Sequence, residues 1–79
     1  MPLVDIHLIK GIWSAEEKQR MMAATTDALV EIWGEPVRKM TWVRVLETEP
    51  GQWMIGGQAW DAETVARLRT GEGDEAGAT

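Results

Sequence analysis

Apolar and polar positions alternate from the start of the chain. Pro2, Val4, Ile6 and Leu8 fall on one face of residues 2–9, and Leu3, Asp5, His7 and Ile9 on the other. Both faces are largely apolar, which predicts a strand covered on both sides and ended by Gly11. The period then changes. Ser14 followed three residues later by Glu17 is a capping box, and Glu16 adds negative charge to the first turn, where the helix dipole favours it. A helix is predicted from Ala15 to Trp33, stopping at Gly34. Met21, Met22, Thr25, Ala28, Leu29, Ile32 and Trp33 form a stripe at helical spacing, read as core packing against a sheet. The two methionines suit gap filling better than ligation.

Glu35-Pro36 reads as a turn, and Val37-Arg38-Lys39 as the lead into a second strand from about Met40 to Glu47. In that strand Thr41, Val43 and Val45 point one way, and Trp42, Arg44 and Leu46 the other. Strand, helix and strand joined by one long crossover imply two parallel strands with a right-handed connection. Thr48 to Gln52 is a loop, and Trp53-Met54-Ile55 is a short extended piece running into Gly56-Gly57. Asp61 is an N-cap candidate for a last helix, Ala62 to Arg69. The expected class is therefore α+β: a β-α-β unit with two parallel strands and one long helix, then a short C-terminal strand or hairpin and a short terminal helix. Residues 1–69 are expected to form one domain. The Gly-rich acidic residues 70–79 are expected to form a disordered tail.

Composition sharpens this picture. A chain of 79 residues buries only a modest fraction of its surface alone. No cysteine is present, so no disulfide can staple it and no thiolate can hold a metal. A single histidine weakens a zinc reading further. Oligomerisation is the expected source of extra stability. Five tryptophans without Phe or Tyr exceed what one small core houses, which places some of them at subunit contacts or in a pocket. A net charge of −5 argues against a nucleic-acid partner. No apolar run is long enough to span a bilayer, and no basic-then-apolar leader is evident. A cytoplasmic location is the expectation.

The candidate chemistry begins at Pro2. Within a chain a proline nitrogen is an amide, but at a processed terminus it becomes a secondary amine on a rigid ring, both base and nucleophile. Alone, a proline in second place usually does no more than start a chain. His7, on the face with Leu3 and Ile9, is expected to be a buried hydrogen-bonding histidine, with Asp5 beside it as its partner across a strand. Gly56-Gly57 lacks phosphate-loop spacing and reads as a turn.

Several of these features together resemble a known family. Proline after the initiator Met, a first strand with His7, the Gly-Ile-Trp-Ser-Ala-Glu-Glu-Lys-Gln run of residues 11–19, the second strand and Trp-Met-Ile-Gly-Gly at residues 53–57 look like the 4-oxalocrotonate tautomerase group of the tautomerase superfamily. The resemblance covers about residues 2–60. It implies a β-α-β fold, four-stranded sheets shared by two subunits, and homohexamers, with dimers or trimers as the alternatives. It also implies cofactor-free chemistry, with Pro2 as the catalytic base and Trp53 as the aromatic lining the pocket.

Two arginines of the family pattern fall, on this reading, on Ile12 and Trp42, which suits the chain poorly to dicarboxylates. Arg44 and Lys10 are the candidate replacements for substrate binding. Tautomerisation needs a proton removed beside a carbonyl and returned elsewhere, and one base can do both. An α-amino group titrates at roughly 7.7–8.0, and an apolar pocket or a nearby cation lowers that. Trp53, Trp42, Ile12 and Leu8 could supply the apolar wall, and Arg44, Arg38, Lys39 or Lys10 the cation that also steadies an enolate. The expected function is a keto–enol tautomerase acting on a small molecule with an enolisable carbonyl. The alternative is a non-catalytic relative that binds small molecules or builds a structural ring.

Overall fold

The computed structural model describes residues 1–70. The elements run β1 (Leu3–Ile9), α1 (Ala15–Trp33), a 3-10 helix (Glu35–Met40), β2 (Trp42–Thr48), β3 (Trp53–Ile55), β4 (Gln58–Trp60) and α2 (Ala62–Arg69). They belong to two compact units. The first comprises Met1–Leu8 with Trp13–Leu46; the second comprises Ile9–Ile12 with the chain from Glu47 onward. Of the tail expected at 70–79, only Thr70 lies within the described residues, where its N–H donates to the Ala66 carbonyl.

β1 and β2 form a two-stranded sheet. The Trp42 N–H donates to the Pro2 carbonyl at 2.9 Å, and the Lys10 N–H donates to the Thr48 carbonyl at 2.8 Å. Partner numbers rise together along both strands, as a parallel pair joined by a helical crossover requires. The β-α-β unit is thus the one the alternation and the crossover predict.

α1 begins and ends where its caps dictate. The Glu17 N–H donates to Ser14 Oγ at 3.0 Å, and Glu17 Oε1 accepts from the Ser14 N–H at 2.9 Å. At the other end the chain turns at Gly34, with φ of 99°, where a β-carbon would be strained. Its N–H donates to the Val30 carbonyl.

The segment after Gly34 differs from the expected turn and lead-in. Pro36 near the helix start favours helical φ, and Glu35–Met40 winds into a 3-10 helix packed on α1. Arg38 fastens it there, donating through Nε to Glu35 Oε1 at 2.7 Å and through NH1 to Asp27 Oδ1 at 2.9 Å. Val37 is buried beneath. β2 therefore starts at Trp42 rather than at Met40, and it runs on to Thr48.

The two faces of β1 are unequal. Pro2, Val4, Ile6 and Leu8 are half-buried, while Leu3, Asp5 and His7 are exposed. The expectation of cover on both sides fails because the chain has only one long helix to lay on this sheet. His7 is accordingly exposed rather than buried. The stripe on α1 is also only partly used. Met21, Met22, Thr25 and Leu29 are half-buried, but Ile32 and Trp33 near the helix end remain 73% and 62% exposed. Ile9 and Val37 are the buried apolar residues among those described.

In the second unit, β3 and β4 form an antiparallel hairpin with Trp53 opposite Trp60, Met54 opposite Ala59 and Ile55 opposite Gln58. The two-residue connection has φ of 61° at Gly56 and 81° at Gly57. Positive φ at both positions is the turn whose twist matches a hairpin, and glycine adopts it without strain. Asp61 caps α2: its Oδ1 accepts from the Thr64 N–H and from Thr64 Oγ1, each at 2.9 Å.

Candidate active site

Pro2 stands at the head of β1, half-buried, and two backbone contacts fix it. Its carbonyl accepts from the Trp42 N–H. On its other side, the Met1 ammonium donates to the Met40 carbonyl at 2.7 Å. The Pro2 nitrogen therefore lies between two anchors at the junction of the 3-10 helix and β2. While Met1 is attached, that nitrogen is an amide without a basic lone pair. Removing Met1 would leave a secondary amine and would also remove the bond to Met40, so that Pro2 is then held through its carbonyl by the Trp42 N–H.

Trp42 and Arg44 share the face of β2 that the helix does not cover. Trp42 is 65% exposed. Arg44 forms a double hydrogen bond with Asp5 across the strand pair: Nε to Oδ1 at 2.8 Å and NH2 to Oδ2 at 3.0 Å. The register produces this pairing, because Asp5 and Arg44 each lie two residues beyond the Leu3–Trp42 level set by the Pro2–Trp42 bond. The Arg44 hydrogen bond holds the Asp5 carboxyl below the usual carboxylate range, against a smaller opposing effect of burial, with further help from the charges of Arg44 and His7. The same bond raises the Arg44 guanidinium further above its ordinary value. Asp5 is thus the partner of Arg44, a role the sequence reading did not give it.

The other candidate cations are also occupied, with one exception. Lys10 Nζ meets Glu49 Oε1 at 3.3 Å. Arg38 is shared by Glu35 and Asp27, whose hydrogen bonds raise its pKa, Glu35 contributing the larger part. Lys39 has no carboxylate partner among the described residues, and it immediately precedes the Met40 carbonyl that binds the chain terminus.

The remaining predicted residues lie in the second unit. Ile12 is half-buried, and its carbonyl accepts from Arg69 NH1 at 3.0 Å. Trp53 is half-buried on β3, and its indole Nε1 is withdrawn from solvent without a hydrogen-bond partner among the described residues. Such a donor is costly to leave unpaired. Pro2, Trp42 and Arg44 thus belong to one unit, and Lys10, Ile12 and Trp53 to the other. Among the described residues there is no cluster of three or more His, Asp or Glu able to hold a metal ion, and no helix long and apolar enough to cross a membrane.

With this geometry in place, the comparisons with known proteins identify the class. A family model described as tautomerase enzyme matches residues 2–62, beginning at the proline itself. The chain belongs to the tautomerase family, within its 4-oxalocrotonate tautomerase group. It is similar to TomN, a 4-oxalocrotonate tautomerase homologue of the tomaymycin biosynthetic pathway, with 33% identity and a TM-score of 0.66 over 87% of this chain and 95% of that one. It is also similar to the apo crystal structure of an unfused 4-oxalocrotonate tautomerase, at 26% identity and a TM-score of 0.67 over 86% and 98% of the two chains. A structure of trans-3-chloroacrylic acid dehalogenase shares the fold, at 20% identity and a TM-score of 0.65 over 75% of this chain and 98% of that one. Among curated protein sequences none matches.

Proposed function

We propose that the chain, after loss of Met1, is a cofactor-free keto–enol tautomerase in which the Pro2 nitrogen is the general base. The observation that carries this reading is the placement of Pro2. It is the first residue of the family match, it is half-buried, and it is pinned by the Trp42 N–H at the mouth of a parallel strand pair. A pyrrolidine nitrogen held there could take a proton from the carbon beside a carbonyl and return it at the far end of the conjugated system. Partial burial disfavours the charged form of an amine, which is the direction a general base requires.

The developing enolate needs a donor, and Arg44 is the β2 side chain best suited to it. Trp42 opens β2 directly after the 3-10 helix Glu35–Met40 and carries no charge, whereas Arg44 lies two residues further along the same strand. We take Arg44, on the same face two residues later, as the position that serves. Ile12 carries no guanidinium, so the family pattern's other arginine has no counterpart in this sequence, which speaks against dicarboxylates. Trp53, in the other unit, keeps one unused indole N–H. Self-association into a homohexamer, or a dimer or trimer, would cover the exposed strand face. A cytoplasmic location agrees with this chemistry.

The test is ketonisation of phenylenolpyruvate and of 2-hydroxymuconate by chains whose N-terminus is established by mass spectrometry. Pro2→Ala is expected to lower kcat about 10²-fold or more, the usual contribution of a positioned acid–base group. Equal catalysed rates for the two proteins would remove Pro2 from the mechanism, and rates at the uncatalysed level in both would leave a non-catalytic relative.

A further inference from the structure

The double hydrogen bond between Asp5 and Arg44 sits on an exposed strand face, where fold stability does not explain it. The two side chains are 31% and 56% exposed, and ion pairs of that kind contribute little to folding. The pair's effect on an incoming ligand is larger. A guanidinium presents donors along two edges of a planar fork. Asp5 takes the edge formed by Nε and one NH2 hydrogen, and its carboxylate stands beside the positive charge. The edge formed by NH1 and the remaining NH2 hydrogen has no partner among the described residues. What the face offers a ligand is therefore one two-pronged donor with little net charge. Leu3, Trp42 and His7 are likewise exposed on this strand pair, and none of them adds a carboxylate.

We propose that Asp5 is a specificity-determining residue, which by occupying one edge of Arg44 and offsetting its charge turns the site away from dianionic substrates and toward monocarboxylates with an enolisable carbonyl. This rests on the tautomerase reading with Arg44 facing the substrate. A monocarboxylate needs the one open edge. A dicarboxylate brings a second negative group into a site that already holds one, and like charges brought together are disfavoured.

The experiment compares wild type with Asp5→Asn, which keeps the shape and one acceptor and removes the charge. Two quantities are read: the Kd of cis,cis-muconate, a dicarboxylate with no enol to ketonise, by calorimetry, and the KM and kcat for 2-hydroxymuconate and phenylenolpyruvate. Asp5→Asn is expected to tighten muconate and lower the 2-hydroxymuconate KM by about fivefold, the size of an exposed charge–charge coupling. The KM for phenylenolpyruvate should move less, and kcat should stay within about twofold. Adding Arg44→Gln should abolish the gain. A muconate Kd that is unchanged or weaker in Asp5→Asn overturns the proposal, as does a gain that survives Arg44→Gln. Asp5→Ser serves the same comparison if Asp5→Asn folds poorly. The calorimetric arm separates the two hypotheses: loss of Pro2-dependent turnover sinks the tautomerase reading, whereas the muconate affinity decides the role of Asp5 by itself.

Discussion

At the scale of single residues, two exposed carboxylates add a small contribution, of known sign, to the response to acid. Arg44 holds Asp5 below the ordinary carboxylate range, and the Thr64 N–H followed by the Thr64 hydroxyl does the same for Asp61. A group whose folded-state pKa is depressed stabilises the fold above its unfolded pKa, and it loses that contribution as pH falls through the folded value. The Tm should therefore be nearly constant from neutral pH down to about pH 5 and fall below about pH 4. In the double variant Asp5→Asn, Asp61→Asn, the Tm measured across that range should decline less steeply than in wild type. An acid limb of identical slope would show that neither pair matters to folding. The Asp61 cap was readable from its place before an amphipathic run. The Asp5–Arg44 pair was not, because a partner 39 positions away is fixed by strand register, and register is set by backbone bonds that no local pattern encodes.

At the scale of elements, local chemistry made some boundaries legible and tertiary packing hid others. α1 begins at Ala15 and ends at Trp33 as predicted, because a capping box and a glycine act within a few residues of each end. The start of β2 was misplaced by two residues. Val37-Arg38-Lys39 has no strong preference of its own, and its winding into the 3-10 helix depends on Val37 burial and on the reach of Arg38 to Asp27. Ser14→Ala removes the acceptor for the Glu17 N–H and should cost about 1 kcal/mol. Thermal unfolding at fixed protein concentration would show this as a fall in Tm of roughly 4–8 °C. A fall under about 1 °C would mean that the capping box is not what fixes this end of the helix. In the hairpin, Gly57→Val places a β-branched residue at φ of 81° and should destabilise β3 and β4 selectively. Faster hydrogen exchange at the β3 and β4 amides, with α1 unchanged, is the expected signature.

At the scale of the whole molecule, the described residues leave much apolar surface uncovered. Leu3, Ile32, Trp33, Met40, Trp42, Met54 and Ile55 are all exposed, while only Ile9 and Val37 among the described apolar residues are buried. A chain of 8.8 kDa with so thin an interior is expected to fold together with copies of itself. Sedimentation should give a multiple of that mass, and Trp42→Asp, which puts charge on the open strand face, should shift the distribution toward smaller species. The length and the five tryptophans raise the expectation of self-association, but they do not say which tryptophans face outward, since that depends on tertiary packing. The chemistry assigned to Pro2 depends in turn on a free ring nitrogen at the chain's start. The most direct test is to prepare the same sequence in two forms, one beginning at Pro2 and one retaining Met1, and to measure phenylenolpyruvate ketonisation by each at neutral pH. The account predicts rapid turnover by the form beginning at Pro2 and a rate near the uncatalysed one when Met1 acylates that nitrogen. Equal catalysis by both forms would contradict it.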